Sequence, residues 1–467
     1  MREVEIAIVG GGPAGLGAAL EAAKSGAEVV LLDEYPTLGG QYYKQVPDAF
    51  AVRNLKAESG QFVEGIELVE RVKNSSVEFL PNTLVWSIFP DGTLGLCREE
   101  RTEELRAKQL ILAPGAQEVP VAFPGWTLPG VMMGGAAQSL LVTQRVLPGR
   151  RVVLAGVGPL QLKVASQLVD AGAIVVDILE ASSKPPVSME NALRSFGHWG
   201  KMREGMTYWM KLKKARVPYH HSHVPVRALG TEQLEAVVVA QVDDEWQVVP
   251  GTERTLEADT LCLSYGFLPA TQLTRLLGCR LDFDERAGGW ITWHDPDQRT
   301  SVEGVYVAGE VGGIGGAEVA IEEGRIAGLA AARALRKAET SASRKQEEDA
   351  RKRLTHAKEF AELAAGMMQL KPALLDLITD DTILCRCESV PAAQITRAIG
   401  EGGCTLRAIK VQTRAGMGSC QGRMCGHLIS RLIAKQTGTP LDSIQPDTAR
   451  PPIKPVPLRV LVDHSET

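Results

Sequence analysis

Five of the eight cysteines crowd into one short stretch as Cys385, Cys387, Cys404, Cys420 and Cys425, whereas Cys97, Cys262 and Cys279 are scattered singly. The crowded segment runs ILCRCESVPAAQITRAIGEGGCTLRAIKVQTRAGMGSCQGRMCGH, that is Cys385-x-Cys387, 32 residues, then Cys420-x4-Cys425. Two close thiolate pairs joined by a compact insert can surround one [2Fe-2S] cluster, and four thiolates also suit a tetrahedral zinc ion. Two details favour iron and sulfide: the first pair has a single intervening residue, and the second sits in a Gly-rich loop whose N–H groups can hydrogen-bond sulfides. Cys404 follows Gly402 and Gly403 at an expected helix end, where packing is the simpler role.

A second chemistry is written at the start of the chain. VEIAIVGGGPAGLGAALEAAKSGAEVVLLDE is a strand, a Gly10-x-Gly12-x-x-Gly15 turn with Pro13 and Ala14 inside it, a helix, and a second strand that ends in acid. The glycines have separate tasks: a tight turn at Gly10, close approach of the backbone to a pyrophosphate at Gly12, and close helix-on-strand packing at Gly15. The helix N-terminus then faces the phosphates with free N–H groups and a positive dipole end. Glu34 stands 19 residues after Gly15, where a carboxylate accepts ribose hydroxyls, and Asp33 beside it is the other candidate.

A further strand, Gly-rich turn and helix begins at Arg151: RVVLAGVGPLQLKVASQLVDAGAIVVDILE. Gly156 and Gly158 keep the pattern, but Gln161 occupies the third position, where a larger side chain loosens the packing that glycine permits. Glu180 repeats the 19-residue spacing. An acid there accepts ribose hydroxyls and repels a 2′-phosphate, which favours NAD over NADP; a degenerate unit that takes another adenine nucleotide, or none, is the alternative. No Cys-x-x-Cys adjoins either unit, so a dithiol relay is not expected. His220, His221 and His223 read as exposed imidazoles on a surface strand. Trp199, Tyr208 and Trp209, with Met202, Met206 and Met210, read as a helix face that packs on something, another subunit being one candidate.

The elements that must position these residues follow from pattern. The first 335 residues alternate β-branched runs with Ala/Leu/Gly-rich helices, the rhythm of a parallel sheet covered by helices, so the fold class is α/β with two Rossmann-like units and a small helical C-terminal cysteine domain. At 467 residues the chain exceeds what one core supports. The expected division is residues 1–120 and 258–336 for a discontinuous FAD-binding domain and 121–257 for an inserted nucleotide domain. A charged helical linker over 337–376, the cysteine domain over 377–440 and an extended Pro-rich tail over 441–467 complete it. With 44% hydrophobic and 23% charged residues and a net charge of −5, the chain is an ordinary globular one with no sign of a nucleic-acid partner. It enters a strand almost at Met1 and its apolar runs fall short of a membrane span, so a cytoplasmic protein is expected, with any membrane contact peripheral and on the inner face.

Several segments together carry a resemblance. LILAPG, with Ala113, Pro114 and Gly115, resembles the strand and turn with which FAD-containing two-domain reductases leave the FAD domain. VEGVYVAGE, with Gly309 and Glu310, resembles the late strand that holds the FAD ribityl chain, although Glu310 stands where Asp is usual. Gly315, Gly316 and Ala317 open another helix whose positive end could face the flavin pyrimidine. With GGGPAGLGAAL, LDEYPTLGGQYY (Gly39, Gly40, Gln41) and the CRC to CQGRMC pair, the whole chain resembles the FAD-dependent α-type subunit shared by opine oxidases, hydrogen cyanide synthase and heteromeric proline, hydroxyproline and sarcosine dehydrogenases or oxidases, with a BFD-like [2Fe-2S] domain at its end. The resemblance implies FAD on the first unit, a hetero-oligomer with an amino-acid-oxidase-like flavoprotein subunit that dehydrogenates the amine, and electron relay to a quinone or carrier protein. FMN at the subunit interface is a further cofactor open to such a complex. No residue of this chain is identified as catalytic. Two other functions stay open: a self-sufficient NADH-dependent flavin reductase, and a structural or regulatory subunit whose nucleotide sites serve stability.

Overall fold

Val, Ile and Leu dominate the first strand and make it a natural centre for a sheet buried on both faces. In the computed structural model, which describes residues 2–47, 49–50, 52, 60–89, 91–183, 199–335, 341–367 and 369–462, that strand is β1 (Arg2–Val9). It pairs in parallel with β2 (Val29–Leu32) on one side and with β6 (Arg101–Leu112) on the other. The sheet runs β3 (Glu78–Leu80), β2, β1, β6, β5 (Thr93–Arg98), β4 (Thr83–Ile88), and the late strand Val305–Val307 returns to pair in parallel with β6. The chain divides into two compact units, and this sheet belongs to the first, made of 1–117, 267–365 and 448–467. Its α1 (Pro13–Lys24) lies against the long late helix Gly316–Ala334. A Cβ at Gly324 would come within 2.0 Å of the Ala14 carbonyl oxygen, so glycine is what lets these two helices touch along their backbones.

The second unit comprises 118–266 and 366–447. Its parallel sheet is ordered Tyr219–His221, Ile174–Glu180, Arg151–Gly156, Thr260–Ser264, Val131–Met133, with helix Leu160–Asp170 after the Gly-rich turn. An antiparallel sheet of His223–Leu229, Ala236–Gln241 and Arg254–Glu257 is appended. Thr260–Ser264 pairs with Arg151–Gly156 from Thr260↔Val152 to Ser264↔Gly156, so the chain leaves this unit after Gly266 and not at 258.

Two other expected boundaries change. The charged segment is a helix, Ser341–Met367, but it is no free linker: ion pairs Arg333–Glu347 (2.8 Å), Arg353–Glu322 (2.9 Å) and Lys358–Glu323 (3.0 Å) lay it against the first unit. Residues 337–340 and 368 of the expected linker lie outside the described residues. The tail is likewise strapped rather than merely extended, since Ile453 is buried, its N–H donates to the Trp86 carbonyl (2.9 Å), and the chain closes on a short helix, Leu458–Val462. No helix of the described residues is long and apolar enough to cross a membrane.

Candidate flavin groove and thiol loops

The strand–turn–helix of the first unit places its glycines as the spacing requires. Gly10 turns with φ +108°, and a Cβ at Gly15 would sit 1.8 Å from the Gly10 carbonyl oxygen, which is the tight packing read from the pattern. Gly12 differs: a Cβ there meets only the Gly40 Cα, at 3.8 Å, so the space over it is open. The Gly39–Gly40 turn docks on this loop through the Gly39 N–H, which donates to the Gly11 carbonyl (2.9 Å), and the Gln41 side chain accepts from the buried Lys44. Pro13 and Ala14 begin α1, whose N-terminal amides have no side-chain cap.

Between the two acids after β2, the structure makes a choice that spacing left open. Asp33 is buried and accepts the Gly11 N–H (2.6 Å) and the Tyr35 N–H (2.8 Å), which tie the strand end to the Gly-rich turn. Burial pushes its carboxyl up and the two amides oppose that. Glu34 points outward to an ion pair with Lys454. The acid next to the turn is therefore Asp33, and the 19-residue spacing that selected Glu34 is one residue long.

The remaining pieces converge in the same unit. Ala113 donates to the Val9 carbonyl (2.8 Å), and the Gly115 carbonyl accepts from Ala270 (3.1 Å), fixing the Ala113–Pro114–Gly115 turn at the end of β6. Gly309 turns with φ +74°, its N–H held by the buried Glu323 (3.1 Å), and Gly316 and the buried Ala317 open the helix behind it. Glu310 follows Gly309 with its carboxyl in a desolvated position, which pushes it up to about 7. Among the described residues no donor meets that carboxyl. A nearly open floor at Gly12, an uncapped helix N-terminus and an unpartnered, half-buried carboxyl at Glu310 are what a bound dinucleotide with a polyhydroxyl chain would satisfy.

The second Gly-rich turn is filled from within. Glu180 accepts from the Gly158 N–H (3.2 Å), the Ser182 N–H (3.3 Å), the Gln161 amide (3.4 Å) and the Tyr219 hydroxyl (3.2 Å). Burial pushes its carboxyl up and pushes the Tyr219 hydroxyl up far more. Gln161, 1% exposed, lies in the position where glycine was expected and spends its amide on Glu180. A ribose would have to displace Tyr219, whose ring is held edge-on by Trp209 (5.4 Å between centroids). Here the fit to NAD is poor, because Gly158, Gln161 and Tyr219 already donate to Glu180, although the buried Gln161 Oε1 finds no partner.

The thiols of the C-terminal segment come together as two pairs. The Cys425 thiol donates to Cys385, holding it down to about 5 against burial, and the N–H groups of Gly416, Glu388 and Cys387 add to this; Cys425 itself is pushed far up. Cys387, against its desolvation, is lowered by the Cys420 N–H, the Ser419 hydroxyl (3.6 Å) and the Cys420 thiol. Among the described residues no group of three or more Asp, Glu, His or Cys side chains is gathered to hold a single metal ion. Two thiol pairs ringed by backbone N–H groups suit a two-iron group, each iron taking two thiolates, better than one zinc ion. Cys404 is exposed, its thiol directed at the Gly402 carbonyl (3.1 Å), so the packing role expected for it does not hold.

Sequence reasoning missed Trp126. It is fully buried, its indole N–H donates to the Ile383 carbonyl (2.6 Å) on the strand that carries Cys385, and the Arg386 guanidinium lies over its ring at 5.5 Å. Only its aromatic type within an apolar, Pro-rich run hinted at a buried anchor. The histidines are also corrected. His223 is buried with Nδ1 donating to the His221 carbonyl (2.7 Å), and His220 pairs with the buried Asp177 (2.8 Å), which Arg254 also holds (2.7 Å). On helix Trp199–Lys214, Met206, Trp209 and Met210 are exposed; the side chains of Trp199 and Met202 lie outside the described residues.

Comparison with known proteins agrees with this geometry. The pyridine nucleotide-disulphide oxidoreductase family model matches residues 4–324 and the sarcosine oxidase A3 domain matches 382–464. An opine oxidase subunit of Rhizobium meliloti is 32% identical over 98% of both chains, and the hydrogen cyanide synthase subunit HcnB of Pseudomonas aeruginosa is 33% identical over 96% of both. The crystal structure of L-proline dehydrogenase from P. horikoshii superposes with a TM-score of 0.70 at 23% identity, covering 98% of this chain and 79% of that one, which is a likeness of fold. The open groove over Gly12 thus lies in a flavoprotein oxidoreductase, and the chain belongs to the pyridine nucleotide-disulphide oxidoreductase family, among the relatives of the opine oxidase and hydrogen cyanide synthase subunits.

Proposed function

We propose that this chain is the FAD- and [2Fe-2S]-holding electron-transfer subunit of a heteromeric dehydrogenase or oxidase of an amine or imino acid, of the opine, proline, hydroxyproline or sarcosine kind. FAD would lie over Gly10, Gly12 and Gly15, with Asp33 at its ribose and Glu310 accepting ribityl hydroxyls. Cys385, Cys387, Cys420 and Cys425 would hold the cluster. A flavin exchanges electrons in pairs or singly and a [2Fe-2S] cluster only singly, so a chain that carries both converts an arriving pair into single electrons. The observation that carries this reading is the presence, in one chain, of an uncrowded Gly12 turn with an unpartnered Glu310 carboxyl and of two contacting thiol pairs. Relatives named as subunits support a hetero-oligomer. An amino-acid-oxidase-like flavoprotein would then dehydrogenate the substrate, and a quinone or carrier protein would take the electrons. Obligate interfaces commonly bury more than about 2,000 Å², and the exposed Met206 and Met210 offer part of such a surface.

The test is to assay the full chain, alone and co-expressed with its partner, against proline, hydroxyproline, sarcosine and opines with an artificial acceptor. Turnover is expected only from the complex. Turnover by the chain alone at the complex's rate sinks the relay reading and moves the substrate pocket into this chain. The rival NADH reductase would bleach its flavin within seconds of adding NADH alone; the donor-filled Glu180 counts against it.

A further inference from the structure

Between Cys385 and Lys435, both included, stand eight lysines and arginines against two acidic residues, in a protein whose net charge is −5, although Lys410 and Lys435 are held by Asp447 and Asp376 from outside this stretch. Helix Leu406–Thr413 and the residue that ends it carry Arg407, Val411 and Arg414 at i, i+4 and i+7, which is one face, and all three are exposed. Val411 is 69% exposed and Met417, three residues beyond the helix-ending Arg414, is 42% exposed. This stripe leads to the thiols: a Cβ on Gly418 would meet the Cys387 Cβ at 2.2 Å, and the Ser419 hydroxyl reaches the Cys387 sulfur at 3.6 Å. Cys387 is itself exposed, whereas Cys385 and Cys425 are buried. The Arg414 charge is shared with Glu388 at 2.9 Å, and Arg407 makes no ion pair among the described residues.

We propose that this stripe is the docking face of an acidic one-electron carrier protein, which takes its electron at the Cys387 edge. The proposal rests on the electron-relay reading above. In the step, one electron would pass to the oxidised carrier from the reduced group that Cys385, Cys387, Cys420 and Cys425 would hold, with no bond made or broken; the carrier would be the oxidant. Transfer edges sit where a partner can approach within a short distance, and here the exposed Cys387 thiol adjoins the Gly418–Ser419 loop that continues from the exposed Arg407–Val411–Arg414 face. Opposite charge on the partner raises encounter rates about 10- to 1000-fold at low salt and loses that advantage as salt screens it. The apolar Val411 and Met417 would supply the small dry centre that weak redox encounters use.

The full chain, purified with flavin and iron–sulfide content verified and reduced photochemically, is mixed in a stopped-flow instrument with oxidised plastocyanin, an acidic probe, or with cytochrome c, a basic one. Binding of plastocyanin to the oxidised chain is measured in parallel by calorimetry. The expected result is plastocyanin reduction that falls about tenfold between roughly 20 and 300 mM salt. Arg407→Glu should lower both its rate at low salt and its affinity about fivefold, without changing iron content, while cytochrome c shows neither preference. A cluster that reduces normally but serves both probes alike, with no response to salt or to Arg407→Glu, overturns the docking face and leaves the relay standing. A chain in which iron and sulfide are absent, or whose iron never reduces, overturns both. Loss of plastocyanin binding when the partner flavoprotein is added, or tighter binding to anionic lipid vesicles than to plastocyanin, assigns the stripe to those surfaces instead and overturns the proposal.

Discussion

A Cβ on Gly12 makes one ordinary contact, with the Gly40 Cα at 3.8 Å, so the backbone itself tolerates a side chain there. Gly12→Val should therefore leave the apoprotein within about 1 kcal/mol of its stability while flavin content falls below roughly a tenth, because the branched side chain takes the volume through which phosphate oxygens approach the backbone. Absorbance at purification together with a thermal melt decides this; a full complement of flavin would mean the site has been misassigned. Glu310 gives a pH signature. Its folded-state pKa of about 7 lies above the ordinary 4.5, so the folded flavin-free protein holds this proton more tightly than the unfolded chain does. The stabilisation is complete below about pH 4.5 and is lost as pH rises through about 7. Thermal melts of stripped protein should show this decline between about pH 5 and 8, and Glu310→Gln should remove that part of the slope. Superimposable profiles would place the carboxyl in solvent.

At the scale of elements, the candidate site residues lie on loops after strand and helix ends, and the geometry of those loops decides which of them meet. Cys385 ends a short strand, Cys425 starts helix Cys425–Thr437, and Cys387 and Cys420 lie on the two intervening loops, so each thiol pair joins the first loop to the second. Replacing Cys420 by Ser should remove most of the bound iron and sulfide, since one iron would lose half its thiolates, whereas Cys404→Ser, at an exposed position, should keep the full complement. Iron and acid-labile sulfide after anaerobic purification measure this; stoichiometric zinc without iron would refute the cluster. The spacing Cys385-x-Cys387 and Cys420-x4-Cys425 groups these thiols by sequence neighbour, whereas the structure pairs Cys385 with Cys425 and Cys387 with Cys420. The pairing depends on how the segment between them folds into helices Ala392–Gly400 and Leu406–Thr413, which no spacing states. Trp126 and the Asp177–His220–Arg254 group escaped the sequence for the same reason, their partners lying 34 to 257 residues away in the chain.

On the scale of the whole molecule, two units interleave along the chain: the first is entered three times and the second twice. The first sheet is complete only when Val305–Val307 returns to β6, which is why the Gly309–Glu310 turn can serve a groove opened by Gly10 far earlier in the chain. Patterns that are local were legible in the sequence: the βαβ alternation, the Gly10-x-Gly12-x-x-Gly15 turn, the second turn at Gly156 and the paired thiols. Each rests on backbone geometry or ligand spacing within about forty residues, and such geometry is fixed by residue type. Tertiary structure alone decided that Asp33 and not Glu34 meets the turn, that Glu180 is saturated by Gln161 and Tyr219, and that Thr260–Ser264 belongs to the second sheet. It also decided that the charged helix Ser341–Met367 is fastened down by ion pairs. Those outcomes turn on side-chain direction at strand ends and on partners brought from distant elements, and a one-residue shift along a strand reverses the face a side chain takes.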